Sequence, residues 1–268
     1  MLVIKTLINY NHLLMMKSTM EKNDTNLSIC FFGHLRTFKR CLPYYKKLHD
    51  KFNIKYFMHT WSAISPNQSS WHSYDSMPRS INHGDIKSIK KYLPDLSLII
   101  EDQNKVLEKA DFTNRSLREK VFLSINYSQN VVINSALNEN SNSIIMTSRP
   151  DIRFSRKADF NFINKIDKNN FYICCNQNNS NEFQDFSACD LINIAHSKVF
   201  QKKINFFNLN KFLFAASHKK NGEFYEEFSL QEKIKLKKCN LKYLTDWKIQ
   251  RPLLAGLNSL FKNEKNRD

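Results

Sequence analysis

Glycine is scarce in this chain, with four residues in 268, beside six prolines and six cysteines. So little glycine excludes a collagen-like or glycine-rich low-complexity chain. It also leaves no G-x-G-x-x-G and no G-x-x-x-x-G-K-[ST], the loops that cradle phosphates on backbone N–H groups. No G-x-S-x-G elbow occurs, so the α/β-hydrolase nucleophile is missing as well. No window holds 18 uncharged apolar residues, and no membrane-spanning helix is expected. The cysteines, at 30, 41, 174, 175, 189 and 239, make no C-x-x-C pair and have no histidine at zinc-ligand spacing. Cys30, Cys174 and Cys175 lie in apolar, strand-like runs and read as small buried hydrophobes of a reducing compartment.

Acid is the other shortage. Asp and Glu number 25 against 41 Lys and Arg, a formal net charge of +16. A charge of that size suits nucleic acid, an anionic membrane surface or a phosphorylated ligand. Thirty-one of the cations are lysine and ten arginine, beside 32 asparagines. Lys, Asn, Ile, Phe and Tyr rise together, as AT-rich coding produces, and such lysines occupy solvated faces without any partner. The charge does not choose among the three.

Apolar residues make up 41% and charged residues 25% of the chain, ordinary globular usage for one sizeable α/β domain or two small ones. Residues 1–25 read as an N-terminal extension. Asn9, Tyr10, Asn11 and His12 interrupt its apolar stretch, and no small-residue cleavage site follows. The natural start lies at Met15, Met16 or Met20, or the segment is a short amphipathic helix packed on the domain. Residues 26–257 read as a single domain, and 258–268 as a polar tail.

Leu27–Phe32, Ile54–His59, Leu96–Glu101, Ser143–Thr147, Phe171–Cys175 and Asp190–Ala195 are short apolar runs expected to be strands. Helical spacing covers Phe38–Phe52, Asp85–Leu93, Leu117–Leu137, Lys198–Phe207 and Glu223–Lys237, with partial strand alternation over Leu241–Ile249. Ser62–His83 reads as a long loop. Strands and helices alternate through the first 150 residues. The expectation is an α/β fold with a mostly parallel central sheet and helices on both faces.

Ligands of such sheets bind beyond the carboxyl ends of the strands. After the first strand stand Gly33, His34 and Arg36: a residue for a sharp turn and a guanidinium able to clamp phosphate. After the second come His59 and Trp61, which can hydrogen-bond or stack on a base, or can cap the sheet. After the fourth come Arg149, Asp151 and Arg153. Asp151 can take a divalent cation or a sugar hydroxyl, and the arginines a diphosphate. The same three residues also suit a surface ion-pair cluster.

Those segments, ICFFGHLRTF (29–38), FMHTW (57–61) and IIMTSRPDIRF (144–154), resemble a set of bacterial and viral glycosyltransferase-like proteins of surface-polysaccharide loci. In those, G-H-x-R, H-T-W and R-P-D-x-R/K-F elements occur in this order. The resemblance covers residues 27–155 and continues weakly through Asp185-Phe186-Ser187-Ala188 and a Glu-rich helix near Glu226 to Arg251. It implies a single GT-A-like domain and transfer of a sugar from a nucleotide-diphosphate donor to a glycan or lipid-linked acceptor. The R-P-D element is similar in placement to the D-x-D motif that holds Mn²⁺ or Mg²⁺ against the donor diphosphate. That assigns Asp151 to metal binding and catalysis, and Gly33, His34, Arg36, Arg149 and Arg153 to the diphosphate. His59 and Trp61 go to the nucleoside. Ile152 and Arg153 follow Asp151 where a second acid belongs, so the clamp is incomplete and the arginines can neutralise the diphosphate directly. Asp185 is the expected acceptor-facing base, or a cap, with Glu226 and Glu227 behind it.

The implied setting is cytoplasmic, peripheral to the inner membrane face if Lys233, Lys235, Lys237 and Lys238 meet anionic lipid. No nucleic acid is expected. The alternatives are a basic nucleic-acid-binding protein, for which no motif is present, a sulfotransferase, which wants a richer phosphate loop, and a transferase fold without catalysis.

Overall fold

The computed structural model describes residues 25–46, 48–63, 80–110, 114–155, 158–174, 191–216, 221–239, 241 and 243–245. The chain opens with β1 (Asn26–Phe32), α1 (Phe38–Lys46), β2 (Asn53–Trp61), α2 (His83–Tyr92) and β3 (Ser97–Glu101). Helices α3 (Gln103–Lys109) and α4 (Leu117–Glu139) lead to β4 (Ile144–Ser148), β5 (Ile152–Phe154), a 3₁₀ turn (Asn161–Lys165) and β6 (Asn170–Cys174). Then come β7 (Ile192–His196), α5 (Ser197–Ala216), α6 (Asn221–Glu232), β8 (Lys235–Cys239) and β9 (Tyr243–Thr245).

One seven-stranded sheet runs in the order β3-β2-β1-β4-β7-β6-β8, and β5 pairs with β9 in a separate ribbon. All pairings in the large sheet are parallel except those of β7, which is antiparallel to β4 and β6. The expected α/β fold with a mostly parallel sheet covered on both faces is what the structure shows. Alternation along β1 explains the continuous apolar run. Leu27, Ile29 and Phe31 join one core with α1 and α2 residues such as Tyr45 and Ile89. Cys30 and Phe32 join the other, with α4, α5 and α6 residues such as Val132, Phe200 and Phe228. A strand buried on both faces has no polar side to show.

Register sets the working edge. Phe32 lies opposite His59 of β2, and Phe31 opposite Ser148 of β4, so the turns after β1, β2 and β4 leave the sheet together. From β1 the chain winds outward to β2 and β3, then returns to place β4 on the other side of β1. The connections diverge between β1 and β4, and that switch point is where such sheets open a crevice. Capping boxes fix the starts of α2 (Asn82 with Asp85) and α4 (Ser116 with Glu119).

The C-terminal half departs from expectation. Residues 235–239 form a strand, not the end of a helix. Lys233 adopts a left-handed φ of 53° and stops α6, and Lys235–Cys239 then pair in parallel with β6. At this edge position Lys235 and Lys237 are exposed, where lysine blocks unwanted strand addition. Helix α1 ends at Lys46 rather than Phe52, α5 runs on to Ala216, and α3 and β5 join elements not foreseen. Residues 64–79 of the expected loop lie outside the described residues. Buried Cys30, Cys41, Cys174 and Cys239 are free thiols, and burial pushes the Cys30 thiol well up. No helix among the described residues is long and apolar enough to cross a membrane.

Candidate functional site

The turn after β1 is built for approach from outside. Gly33 has φ +93°, and a Cβ placed there would meet no atom of the described residues within 4 Å. Glycine is needed for the backbone angle, and the space over it is open. Its N–H donates to Ser128 Oγ of α4 at 2.9 Å. His34 Nδ1 lies 2.9 Å from the carbonyl oxygen of Ala63, after β2. A carbonyl only accepts, so Nδ1 carries the proton and Nε2 of the neutral ring is an acceptor. Burial first, then the nearby Arg36 and Arg149, push the His34 pKa down to about 4 against the Ala63 bond, so the ring is neutral at pH 7. Arg36 holds φ +40°, a left-handed angle uncommon for a residue other than glycine.

That angle aims Arg36 at Asp151. Its Nη1 donates to Asp151 Oδ2 at 3.3 Å. From the end of β4, Arg149 grips the same carboxylate in bidentate fashion, Nε to Oδ1 at 3.0 Å and Nη2 to Oδ2 at 2.5 Å. The Asp151 side chain is 2% exposed and the arginines 18% and 21%. Burial alone would raise the Asp151 pKa, but the charges of Arg149 and Arg36 outweigh it and hold the carboxyl below its ordinary value. Two strand-end motifs far apart in sequence thus meet in one contact at the switch point. The three side chains carry a formal charge of +1 between them, and the arginines are the part-exposed members.

A divalent cation does not fit the residues described here. Both Asp151 oxygens are engaged by arginine, the cations beside it repel a metal, and no second acid among the described residues joins them. Among the described residues no cluster of three His, Cys, Asp or Glu could hold an ion. Among the described residues, Asp151 holds two arginines.

His59 and Trp61 take a different place from the nucleoside-facing one expected of them. They are 0% and 2% exposed, so neither ring has a face for a base. His59 Nε2 lies 2.9 Å from Glu101 Oε2, which also accepts from Tyr127 OH at 3.1 Å. The carboxylate only accepts, so Nε2 carries the proton, and Nδ1 accepts from Ser128 Oγ at 2.6 Å. One directed chain results: Gly33 N–H to Ser128, Ser128 to His59, His59 to Glu101. Burial lowers the His59 pKa against the pull of Glu101, which keeps the ring neutral as this chain requires. Trp61 packs edge-on to His59 (4.8 Å between centroids) and stacks with Tyr127 (6.0 Å). The H-T-W element therefore supports the Gly33 turn from below.

Arg153 does not join Asp151. On β5, it lies with its guanidinium carbon 5.4 Å from the centroid of the Tyr44 ring of α1. Glu226 is exposed on α6 and Glu227 accepts from Gln231 within the same helix, both in the half of the fold carried by α5 and β8. Asp185 lies outside the described residues. Sequence reasoning passed over Glu101, Ser128 and Tyr127. Glu101 carried a readable signal, an acid directly ending the apolar run of β3, while Ser128 and Tyr127 are two polar positions among many on α4.

No protein-family profile matches the sequence, and no curated protein does. A crystal structure described as a glucose-1-phosphate thymidylyltransferase from Bacillus anthracis, in complex with a sucrose, aligns at a TM-score of 0.41 and 9% identity. The alignment covers 83% of this chain and 90% of that one. The likeness stands below the level that establishes a shared fold.

Proposed function

We propose that the protein is a glycosyltransferase that moves a sugar from a nucleoside-diphosphate donor to a glycan or lipid-linked acceptor, in surface polysaccharide synthesis. The observation that carries this reading is the Arg36–Asp151–Arg149 cluster at the β1/β4 switch point, beside the open space over Gly33. Glycosyl transfer releases a nucleoside diphosphate whose negative charge grows as the sugar–phosphate bond breaks. Fixed cations aimed at that charge lower the barrier without reorganising. Asp151 fixes both guanidinium groups, so it acts as a positioning residue, and Arg36 and Arg149 take the diphosphate. Gly33 gives the phosphates room, and neutral His34 offers Nε2 as an acceptor for a hydroxyl. Asp185 is the proposed base for the acceptor hydroxyl. A carboxylate inside the sharpest arginine cluster weighs against a nucleic-acid backbone as ligand, which would meet repulsion there.

The test is release of nucleoside diphosphate from a panel of nucleotide sugars, comparing the native chain with Arg36→Gly. Glycine adopts φ +40° without strain and Asp151 keeps its bidentate partner Arg149, so the variant should remain folded, less stable by about 1 kcal/mol for the lost counter-charge. Release from one donor should nevertheless fall by at least about tenfold. No release from any donor by the native protein, or full release by the variant, would contradict the proposal.

A further inference from the structure

We infer that Glu101 is the residue that reads the ribose hydroxyls of the bound nucleotide, and that the protein prefers ribonucleotides to their 2′-deoxy counterparts. This rests on the diphosphate lying at Arg36 and Arg149, as proposed above. The crevice is polarised along the sheet edge. Cations stand where β1 and β4 end, whereas at the end of β3 the side chain at the edge, Glu101, is an acceptor. Glu101 closes β3 with its side chain 34% exposed. Both of its described donors, His59 Nε2 and Tyr127 OH, converge on Oε2. No described residue donates to Oε1, and two bonds on one oxygen fix the direction of the other. Glu101 pairs in register with Trp61, two residues beyond His59, which faces Phe32, so it is level with the turn that carries His34.

Adjacent strands lie about 4.8 Å apart, which puts the end of β3 roughly 10 Å from the end of β1. That is the scale separating a diphosphate from the ribose hydroxyls of the same nucleotide. A carboxylate oxygen accepts from a hydroxyl in a charge-assisted bond, and an acid at a strand end reading a ribose diol is a known solution in doubly wound sheets. The buried chain from Gly33 through Ser128 and His59 then has a purpose. It ties the turn under the phosphates to the carboxylate under the ribose, which sets the distance between the two subsites.

Glu101→Gln separates recognition from folding. The amide oxygen can still accept from His59 and Tyr127, which turns the NH₂ outward and replaces the charge-assisted acceptor facing the ribose with a neutral donor. Calorimetric titration with ADP, GDP, CDP and UDP, each against its 2′-deoxy form, should show one ribonucleotide bound about tenfold more tightly than its deoxy analogue. In Glu101→Gln the ribonucleotide should fall to the level of the deoxy form, whose own affinity stays put. Tyr127→Phe, which removes one donor and leaves the carboxylate, should retain part of the preference. Equal binding of both sugars by the native protein overturns the inference, as does an undiminished preference in Glu101→Gln. If that variant does not fold, an undiminished preference in Tyr127→Phe overturns it instead. If no diphosphate of either kind binds the native chain, the diphosphate reading itself falls and this one with it.

Discussion

Replacing Lys203 by methionine should stabilise this protein by about 2 kcal/mol near pH 7 and flatten its stability at alkaline pH. Lys203 lies on α5 with no exposed surface, inside the apolar core shared with α4 and α6. Its ammonium has one hydrogen-bond acceptor among the described residues, Gln129 Oε1 at 2.7 Å, and lies 5.8 Å from the centroid of the Tyr225 ring. No carboxylate among the described residues pairs with it. Burial pushes its pKa down to about 7 from an ordinary value of 10.5. Between those values the unfolded chain binds more protons than the folded one, so stability rises as pH rises from about 7 to 10.5. Below pH 7 both states are charged and the full penalty applies, with an upper bound of roughly 5 kcal/mol. Methionine fills the space without a charge, but it leaves Gln129 Oε1 without its donor, and Gln129 Nε2 is already unpaired. That loss reduces the gain to the figure above. Urea unfolding of native and variant chains at pH 6.5 and pH 10 checks it. A variant less stable than the native protein at pH 6.5 would show that the Gln129 and Tyr225 contacts outweigh desolvation.

Asp151→Asn should be among the most destabilising near-isosteric changes in the fold, at about 3 kcal/mol. The buried carboxylate is the counter-charge for Arg36 and Arg149, and asparagine leaves two guanidinium groups facing each other without it. The arginines are 18% and 21% exposed, so solvent screens part of their repulsion and keeps the loss toward the lower end of values for buried pairs. The folded pKa of Asp151 lies below its ordinary value near 4. Its pairing energy is therefore fully present above pH 4 and is lost as pH falls through the folded pKa. The native protein should lose stability on that acid limb, and Asp151→Asn should lack this part of the loss. Arg149→Gln combined with Asp151→Asn should cost clearly less than the two single changes added together, because each single change strands the other's charge. Strict additivity of the two would contradict the coupling.

Much of this site was legible from strand ends alone. The apolar runs located β1, β2 and β4, and the rule that ligands meet the carboxyl edge singled out Arg36, Arg149 and Asp151 before their contact was known. Residue type does not tell what a residue does at an edge, and the roles shifted for that reason. A free Asp and an Asp gripped by two arginines look the same in sequence, and only the geometry shows that both oxygens are taken. His59 and Trp61 fit a ligand or a support equally well on paper, and burial on the α4 face decides for support. The strand at 235–239 was hidden because lysine-rich KLKKC has the composition of a solvated helix face. An edge strand tolerates those lysines, and the left-handed Lys233 that ends α6 is invisible in composition. Glu101 was missed by applying the strand-end rule to three strands and not to the third in order, β3. Lys203 sat among thirty other lysines, and nothing in its neighbours marked it as buried.

The central claim is that arginines, without a metal, hold a nucleotide diphosphate at the β1/β4 switch point. Calorimetric titration of the native chain and Arg149→Ala with nucleoside diphosphates, once in EDTA and once in Mn²⁺, tests it most directly. One diphosphate should bind the native chain with the same affinity in both buffers, and binding should weaken at least about tenfold in Arg149→Ala. Binding that requires Mn²⁺, or that survives unchanged in Arg149→Ala, would contradict it.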